Sequence, residues 1–306
     1  MANGKYPWIV AALIAVYAAW VAISGYLAHT TNFSWSLHDQ KVARVQSRED
    51  ITALIVGGSN AVYSLSAKEL SSLSGQRWFN ASLPSEGFTF ENQERFLGDV
   101  TQAIDPAAVT TIVLSSVRHV ISGLDDRVAL HGFGYDGKKA PPLWLPYSSL
   151  ATAIVDGVDH TIPTVVTPDG DLLYYAIDAC SKRHSSGVIS WASNDDIDYF
   201  LGTWLPVLHR DFPRAAIVVT IPSQYLDETV DASGLEAYVV RLNDRIAAWK
   251  VANPAAANLA VSVVAEPNTA DPSFVCNQGH HFNNKGRTFR TNALWEALTE
   301  APIVHN

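Results

Sequence analysis

Charged residues are scarce in this chain of 306 residues, where they make up 17% of the sequence against about 25% in an ordinary soluble domain. The 21 Lys and Arg residues are scattered, so no basic stripe offsets the net charge of −9. An acidic chain without such a stripe repels phosphate, which argues against nucleic acid as a partner. The chain has only 2 Cys, which excludes a small disulfide-stapled scaffold.

Apolar residues are plentiful at 48%, and the mean hydropathy is +0.06, which excludes a disordered chain. One apolar run, Trp8–Ala28, contains no charge and has aromatic rings near both ends. At 1.5 Å per residue such a helix reaches about 30 Å, the thickness of the hydrocarbon core. The run therefore predicts an uncleaved transmembrane anchor. The alternative is a cleavable signal peptide, whose apolar core is shorter, at about 7–15 residues.

The charges that flank this run predict its orientation. Lys5 precedes the run, and no Lys or Arg follows it until Lys41, so the positive-inside bias places the N-terminus in the cytoplasm. Because the chain begins at Met1, we expect a complete single-pass protein of the inner (cytoplasmic) membrane, with its bulk in the periplasm or another extracytoplasmic space. Cys180 and Cys276 then either form a disulfide or remain as two buried thiols.

The rest of the chain divides by composition into a linker and a domain. Residues 29–50 are polar and have no apolar period, which predicts a juxtamembrane linker after an anchor segment at 1–28. From residue 51 to 306, apolar β-branched runs alternate with helical patterns at 60–72, 88–104 and 235–251. This alternation predicts an α/β domain, a three-layer doubly wound parallel sheet. Residues 120–192 interrupt it and are expected to form an insertion or lid.

Candidate catalytic residues follow the first predicted strand. Ligands of open α/β sheets bind at the carboxyl ends of the strands. Gly57 and Gly58 end the first strand and allow a tight turn, which places Ser59 at the start of a helix. A serine in this place is either a nucleophile, whose own N–H donates to an oxyanion, or a simple N-cap.

Two more strand ends carry polar residues. The turn 80–87 offers small residues whose N–H groups can face a pocket. The segment 279–287 follows the last strand and contains His280 and His281. A histidine there can reach across the sheet to Ser59, as a Ser–His pair requires. No further ligand set at zinc spacing accompanies the two histidines, so we expect no metal and no cofactor.

Together these segments resemble the SGNH (GDSL-like) hydrolase superfamily, which has a flavodoxin-like fold. The most similar branch is that of membrane-anchored acyltransferases, which includes the alginate O-acetylation proteins and the D-alanyl transfer protein of teichoic acid synthesis. The first block matches at Gly57-Gly58-Ser59-Asn60, and the last matches the pattern His-x-Asn-x-x-Gly at residues 281–286. The resemblance implies Ser59 as nucleophile, His281 as base, and oxyanion or substrate-binding groups at Asn80, Ser82, Ser85 and Gly87.

The chain departs from the family pattern at two places. The family has Asp three residues before its catalytic histidine, and this chain has Gln278 there, so Gln278 or Asp271 is the candidate to orient His281. The block that usually reads Gly-x-Asn-Asp is represented by residues 115–119, where Arg118 is the candidate electrophilic group.

The resemblance implies an O-acyltransferase, above all an acetyltransferase, that modifies an exported or cell-surface polysaccharide through an acyl-enzyme. Its acyl donor is then a polytopic membrane acyltransferase, because acetyl-CoA is cytoplasmic. Two alternatives remain open. The same dyad can transfer the acyl group to water, as in a carbohydrate esterase or deacetylase. The missing Asp also fits a non-catalytic subunit of a polysaccharide export complex.

Overall fold

A computed structural model describes residues 7–31, 33–83, 90–115, 117, 165–173, 192–226, 234–276 and 281–300. The strands are β1 Ala53–Gly57, β2 Trp78–Asn80, β3 Thr111–Ser115, β4 Val165–Val166, β5 Leu172–Leu173, β6 Ala216–Ile221 and β7 Val261–Ala265. The helices are α1 Pro7–Thr31, α2 Phe33–Gln46, α3 Ser59–Ser64, α4 Ala67–Ser74, α5 Phe90–Ala103, α6 Asn194–Tyr199, α7 Leu205–Asp211, α8 Gly234–Ala252 and α9 Asn284–Glu300. A π-helical turn, Phe200–Trp204, joins α6 to α7, and short 3-10 turns lie at Pro254–Ala256 and Pro272–Phe274.

The described part of the chain contains a parallel sheet in the strand order β2-β1-β3-β6-β7. Strands β1, β3 and β6 are buried along their whole length, which explains why they are continuous apolar runs in the sequence. The predicted class, an α/β protein with a parallel sheet, is confirmed. The order places β1 and β3 side by side in the middle of the sheet, so the turn after β1 lies beside Ser115.

Successive residues of the strands face opposite sides of the sheet. In β1, Leu54 and Val56 belong to one apolar cluster, which also includes residues of α2, α5, α7 and α8. Ala53 and Ile55 belong to a second cluster, with residues of α3, α4 and α9. This period of two is the geometry of a pleated strand that is covered on both faces.

The segment predicted to be a juxtamembrane linker, 29–50, contains helix α2 instead. Leu37, Lys41 and Val45 of this helix are 0% exposed, and Leu37 and Val45 belong to the apolar cluster on their side of the sheet. These residues are four apart and therefore share one face of a helix. The lysine in the middle of this face conceals its apolar pattern in the sequence.

One further boundary differs from expectation. The helical stretch predicted at 60–72 is two helices, α3 and α4, because the chain is extended at Leu65 and Ser66. The Ser66 side chain accepts the Glu69 N–H at 3.2 Å and so begins α4 as its N-cap. Within the predicted insertion 120–192, strands β4 and β5 form an antiparallel pair; residues 120–164 and 174–191 lie outside the described residues.

Helix α1 covers the apolar N-terminal run. Its side chains are described at positions 8–20, 22 and 23, and large ones among them, such as Trp8 and Val16, are exposed. Counting only described residues, no helix is long and apolar enough to cross a membrane. Elsewhere in the chain, Cys276 is disulfide-bonded, and the second cysteine, Cys180, lies outside the described residues.

Candidate active site

The turn between β1 and α3 holds Ser59 at the carboxyl end of the sheet. Ser59 is the first residue of α3 and is partly exposed. Gly57, at the end of β1, lies so close to its neighbours that a Cβ would be 3.0 Å from the Ser115 Cβ and 3.1 Å from the Ala61 Cβ. With any larger residue at this position, these neighbours would have to shift by a few tenths of an ångström. Glycine at this position lets the serine turn lie directly against the neighbouring strand.

His281 lies on the segment before α9 and reaches the serine turn from the other end of the chain. Its Nε2 atom is 3.0 Å from the Ser59 Oγ, although the two residues are 222 positions apart in the sequence. This is hydrogen-bond distance for a nucleophile and its general base. The His281 ring also packs edge-on against the ring of Tyr63 in α3, with ring centroids 4.8 Å apart. The structure therefore brings together the two residues predicted to form the dyad.

The residues around His281 explain the spacing of its motif. The Asn283 Oδ1 accepts the Gly286 N–H at 3.0 Å, which caps the N-terminus of α9, and the Asn283 N–H donates to the Phe274 carbonyl at 2.8 Å. At Gly286 a Cβ would be 2.8 Å from the Phe282 Cβ and would overlap the Phe274 carbonyl. The motif thus combines a base, a helix cap and a glycine at a close backbone contact.

Two hydrogen bonds connect the segment 281–287, which contains His281, directly to α3. The Phe282 N–H donates to the Ser64 Oγ at 3.0 Å, and the Arg287 Nε donates to the Tyr63 carbonyl at 3.0 Å. The base and the nucleophile are therefore connected through α3 as well as through their own contact.

A buried ion pair lies behind the serine turn. Arg290 of α9 and Glu266, which follows β7, are both 0% exposed at their side chains, and the Arg290 Nε lies 2.6 Å from the Glu266 Oε2. Arg290 also donates to the Asn60 carbonyl at 2.6 Å and to the Ser115 Oγ at 2.7 Å. It thereby connects the residue after Ser59 with β3 and with α9. Sequence reasoning missed this pair, because neither residue belongs to a local motif.

Two residues predicted to bind the oxyanion or the substrate are engaged inside the protein instead. The Asn80 Nδ2 donates to the Ala61 carbonyl at 3.4 Å and to the Leu65 carbonyl at 3.3 Å. The Ser82 N–H donates to the Asn80 Oδ1 at 3.1 Å, and its hydroxyl donates to the Ile55 carbonyl at 3.3 Å. Both residues are 0% exposed. Their donors already have protein acceptors, so this geometry does not fit oxyanion binding.

The remaining predicted site residues are either elsewhere or outside the described chain. Ser85, Gly87, Arg118 and Gln278 lie outside the described residues. Asp271 begins the 3-10 turn Pro272–Phe274, where its carboxylate accepts the Ser273 N–H at 2.8 Å. Hydrogen bonds from Ser273 lower the pKa of Asp271 below its usual range, and Lys285 acts in the same direction. In the structure this carboxylate caps its own turn, and its role in orienting the His281 ring stays a prediction.

Comparisons with known proteins return distant structural likenesses. The acetyl xylan esterase Est2A from the rumen bacterium Butyrivibrio proteoclasticus is 11% identical, with a TM-score of 0.40 over 82% of this chain and 64% of that chain. A putative platelet activating factor from Streptococcus pneumonia is 15% identical, with a TM-score of 0.41 over 92% of this chain and 98% of that chain. A family two carbohydrate esterase from Clostridium thermocellum is 8% identical, with a TM-score of 0.40 over 84% of this chain and 65% of that chain.

The chain thus spans less than two thirds of the length of the acetyl xylan esterase. No family model matches the sequence, and no curated protein matches it. The chemistry of the site therefore rests on the side chains of this chain, above all on the contact between Ser59 and His281.

Proposed function

We propose that this protein is a serine-dependent O-acyltransferase, above all an acetyltransferase, that modifies a hydroxyl group of an exported or cell-surface polysaccharide. The observation that carries the proposal is the distance of 3.0 Å between the Ser59 Oγ and the His281 Nε2. A serine hydroxyl is a weak nucleophile until an adjacent base accepts its proton, and a partner at this distance supplies that base.

In the proposed reaction, the Ser59 Oγ attacks the carbonyl carbon of an acyl donor while His281 accepts the serine proton. The oxyanion accepts a hydrogen bond from the Ser59 N–H. Among the described residues, this N–H has no protein acceptor. Collapse of the intermediate expels the donor's leaving group, which takes the proton from His281 and leaves an ester on Ser59. A sugar hydroxyl then attacks this ester, again with His281 as base, and the product ester leaves as Ser59 regains its proton.

We further propose that the protein is held in the cytoplasmic membrane by Trp8–Ala28, with the sheet domain on the extracytoplasmic side. The absence of charge from this run and the exposed apolar side chains of α1 support the proposal. In that compartment the acyl group cannot come from cytoplasmic acetyl-CoA. A polytopic membrane acyltransferase is then the donor that the reaction requires, and the exported polysaccharide is the acceptor.

The test is Ser59→Ala in full-length protein, assayed with p-nitrophenyl acetate with and without an oligosaccharide acceptor. Acylation should fall by at least about three orders of magnitude, because Ser59 and His281 act together and the pair cannot be acylated without its nucleophile. Ser72→Ala is the matched control, since Ser72 is exposed and its hydroxyl donates to the Lys68 carbonyl within α4. Undiminished acylation in Ser59→Ala would contradict the assignment of the nucleophile.

The oligosaccharide arm of the same experiment tests the acceptor. Transfer of acetyl groups to sugar hydroxyls is the expected result for a transferase. Release of acetate alone, at a rate that the oligosaccharide does not change, would identify a hydrolase that uses the same Ser59 and His281.

A further inference from the structure

A lysine is buried beneath the candidate active site. Lys41 of α2 is 0% exposed, and its Nζ donates to the Asn80 carbonyl at 2.5 Å and to the Asn80 Oδ1 at 3.3 Å. Burial of an ammonium group is costly unless its donors are satisfied. Both of these donated bonds end on a single residue, at the carboxyl end of the edge strand β2.

The donors around Asn80 fix the orientation of its side-chain amide. Lys41 and the Ser82 N–H both donate to the Oδ1 atom, so the oxygen must point toward them. The Nδ2 atom then points the other way, toward the carbonyls of Ala61 and Leu65. If the amide were turned over, its N–H groups would face other donors and its oxygen would face carbonyls.

The two carbonyls that accept these bonds belong to the helix of the nucleophile. Ala61 lies within α3, and Leu65 is the residue that ends it. Ser59 is the first residue of the same six-residue helix, and the ring of Tyr63 supports the ring of His281. A displacement of α3 would therefore move the nucleophile and the support of the base together.

We propose that Lys41 is a positioning residue that acts through Asn80 to hold the helix of Ser59. Helix α2, which directly follows the apolar N-terminal helix, is then part of the active-site scaffold. The proposal rests on the proposed function where it concerns the rate of acylation, and on the contacts alone where it concerns the position of α3.

Charged groups from two other elements face Lys41. Burial lowers its pKa from 10.5 to about 7, while Asp171, beside β5, raises this value and Arg287 of α9 lowers it further. A neutral amine still has N–H donors, so the bonds to Asn80 are available on both sides of this pKa. The positioning role is therefore expected to persist both below and above this pKa.

The first test is kinetic and uses Lys41→Met in the full-length chain. The variant keeps a long unbranched side chain but removes the donors. We expect the rate constant for acylation of Ser59 by p-nitrophenyl acetate to fall at least about tenfold, with a small change in KM, because misplacement of a nucleophile acts on the chemical step. Val45→Ala is the matched control, since it removes buried apolar contacts from the same helix and should acylate at the wild-type rate.

A double-variant cycle separates action through Asn80 from a general loosening of α2. If Lys41 acts through Asn80, then Lys41→Met should have little further effect on acylation in an Asn80→Ala background. Fully multiplicative effects of the two substitutions would overturn the proposal. An acylation rate in folded Lys41→Met equal to that of the wild type would also overturn it.

Hydrogen–deuterium exchange tests the placement of α3 without reference to activity. Lys41→Met should speed exchange over residues 59–65, and Val45→Ala should not. Unchanged exchange there in Lys41→Met would overturn the proposal. Faster exchange, in a protein whose acylation does not depend on Ser59, would refute the proposed function and leave the link between α2 and α3 in place.

Discussion

The stability of the protein should depend on pH through Lys41, and Lys41→Met should remove that dependence. The side chain is fully buried, and burial lowers its pKa from 10.5 to about 7 in the folded protein. The unfolded chain keeps the ordinary value. Between pH 7 and 10.5 the unfolded chain therefore binds a proton that the folded protein does not.

Proton linkage determines the direction of this pH dependence: the free energy of unfolding rises with pH wherever the unfolded state binds more protons. Below pH 7 the folded protein carries a buried ammonium and bears the full cost of its desolvation. That cost is relieved as the pH rises from about 7 toward 10.5. With these two pKa values, the free energy of unfolding should rise by about 2 kcal/mol between pH 7 and pH 9, relative to Lys41→Met.

Urea unfolding at pH 7, 8 and 9 measures this difference, with both proteins in the same non-ionic detergent. Tryptophan fluorescence reports on the core, because Trp78 and Trp204 are buried. Other groups titrate in this range too, but they are common to both proteins and cancel in the comparison. A difference between wild type and variant that stays constant from pH 7 to pH 9 would refute the lowered pKa of Lys41.

Three substitutions near α9 test the other contacts. Gly286→Ala should destabilise the fold by about 1–3 kcal/mol, because the new Cβ lies 2.8 Å from the Phe282 Cβ; urea unfolding measures this loss. Asn283→Ala removes the helix cap and should cost about 1 kcal/mol in the same assay. Glu266→Gln leaves the Arg290 charge buried without its partner, and thermal and urea unfolding should show a loss of about 3–5 kcal/mol.

The parallel sheet and the meeting of Ser59 with His281 could be predicted because simple rules govern both. Strands that are buried on both faces are continuous apolar runs, as in β3 and β6. The turns that follow parallel strands lie at one edge of the sheet, so a serine after β1 and a histidine after β7 are neighbours although they are 222 positions apart in the sequence.

Helix α2 could not be predicted, because its buried face contains a lysine between Leu37 and Val45. In the sequence, buried positions four residues apart with a charged residue in the middle resemble a polar segment. Asn80 shows a second limit of the sequence. Its amide suits an oxyanion and a backbone carbonyl equally well, and only the folded chain shows that the carbonyls of Ala61 and Leu65 take its donors.

The six-residue helix α3 explains why contacts distant from the reacting atoms matter at this site. A helix this short is marginal by itself, and its last carbonyls have no partners within the helix. In the folded chain, the carbonyls of Asn60, Tyr63 and Leu65 accept bonds from Arg290, Arg287 and Asn80, respectively.

Two of these donors are in turn held by other parts of the molecule. Arg290 is paired with Glu266, and Asn80 is oriented by Lys41. The position of Ser59 is therefore set by buried polar side chains from α2, β2 and α9 as well as by the local sequence of the serine turn. A Gly-Gly-Ser turn without these donors would have the right residues but no fixed nucleophile.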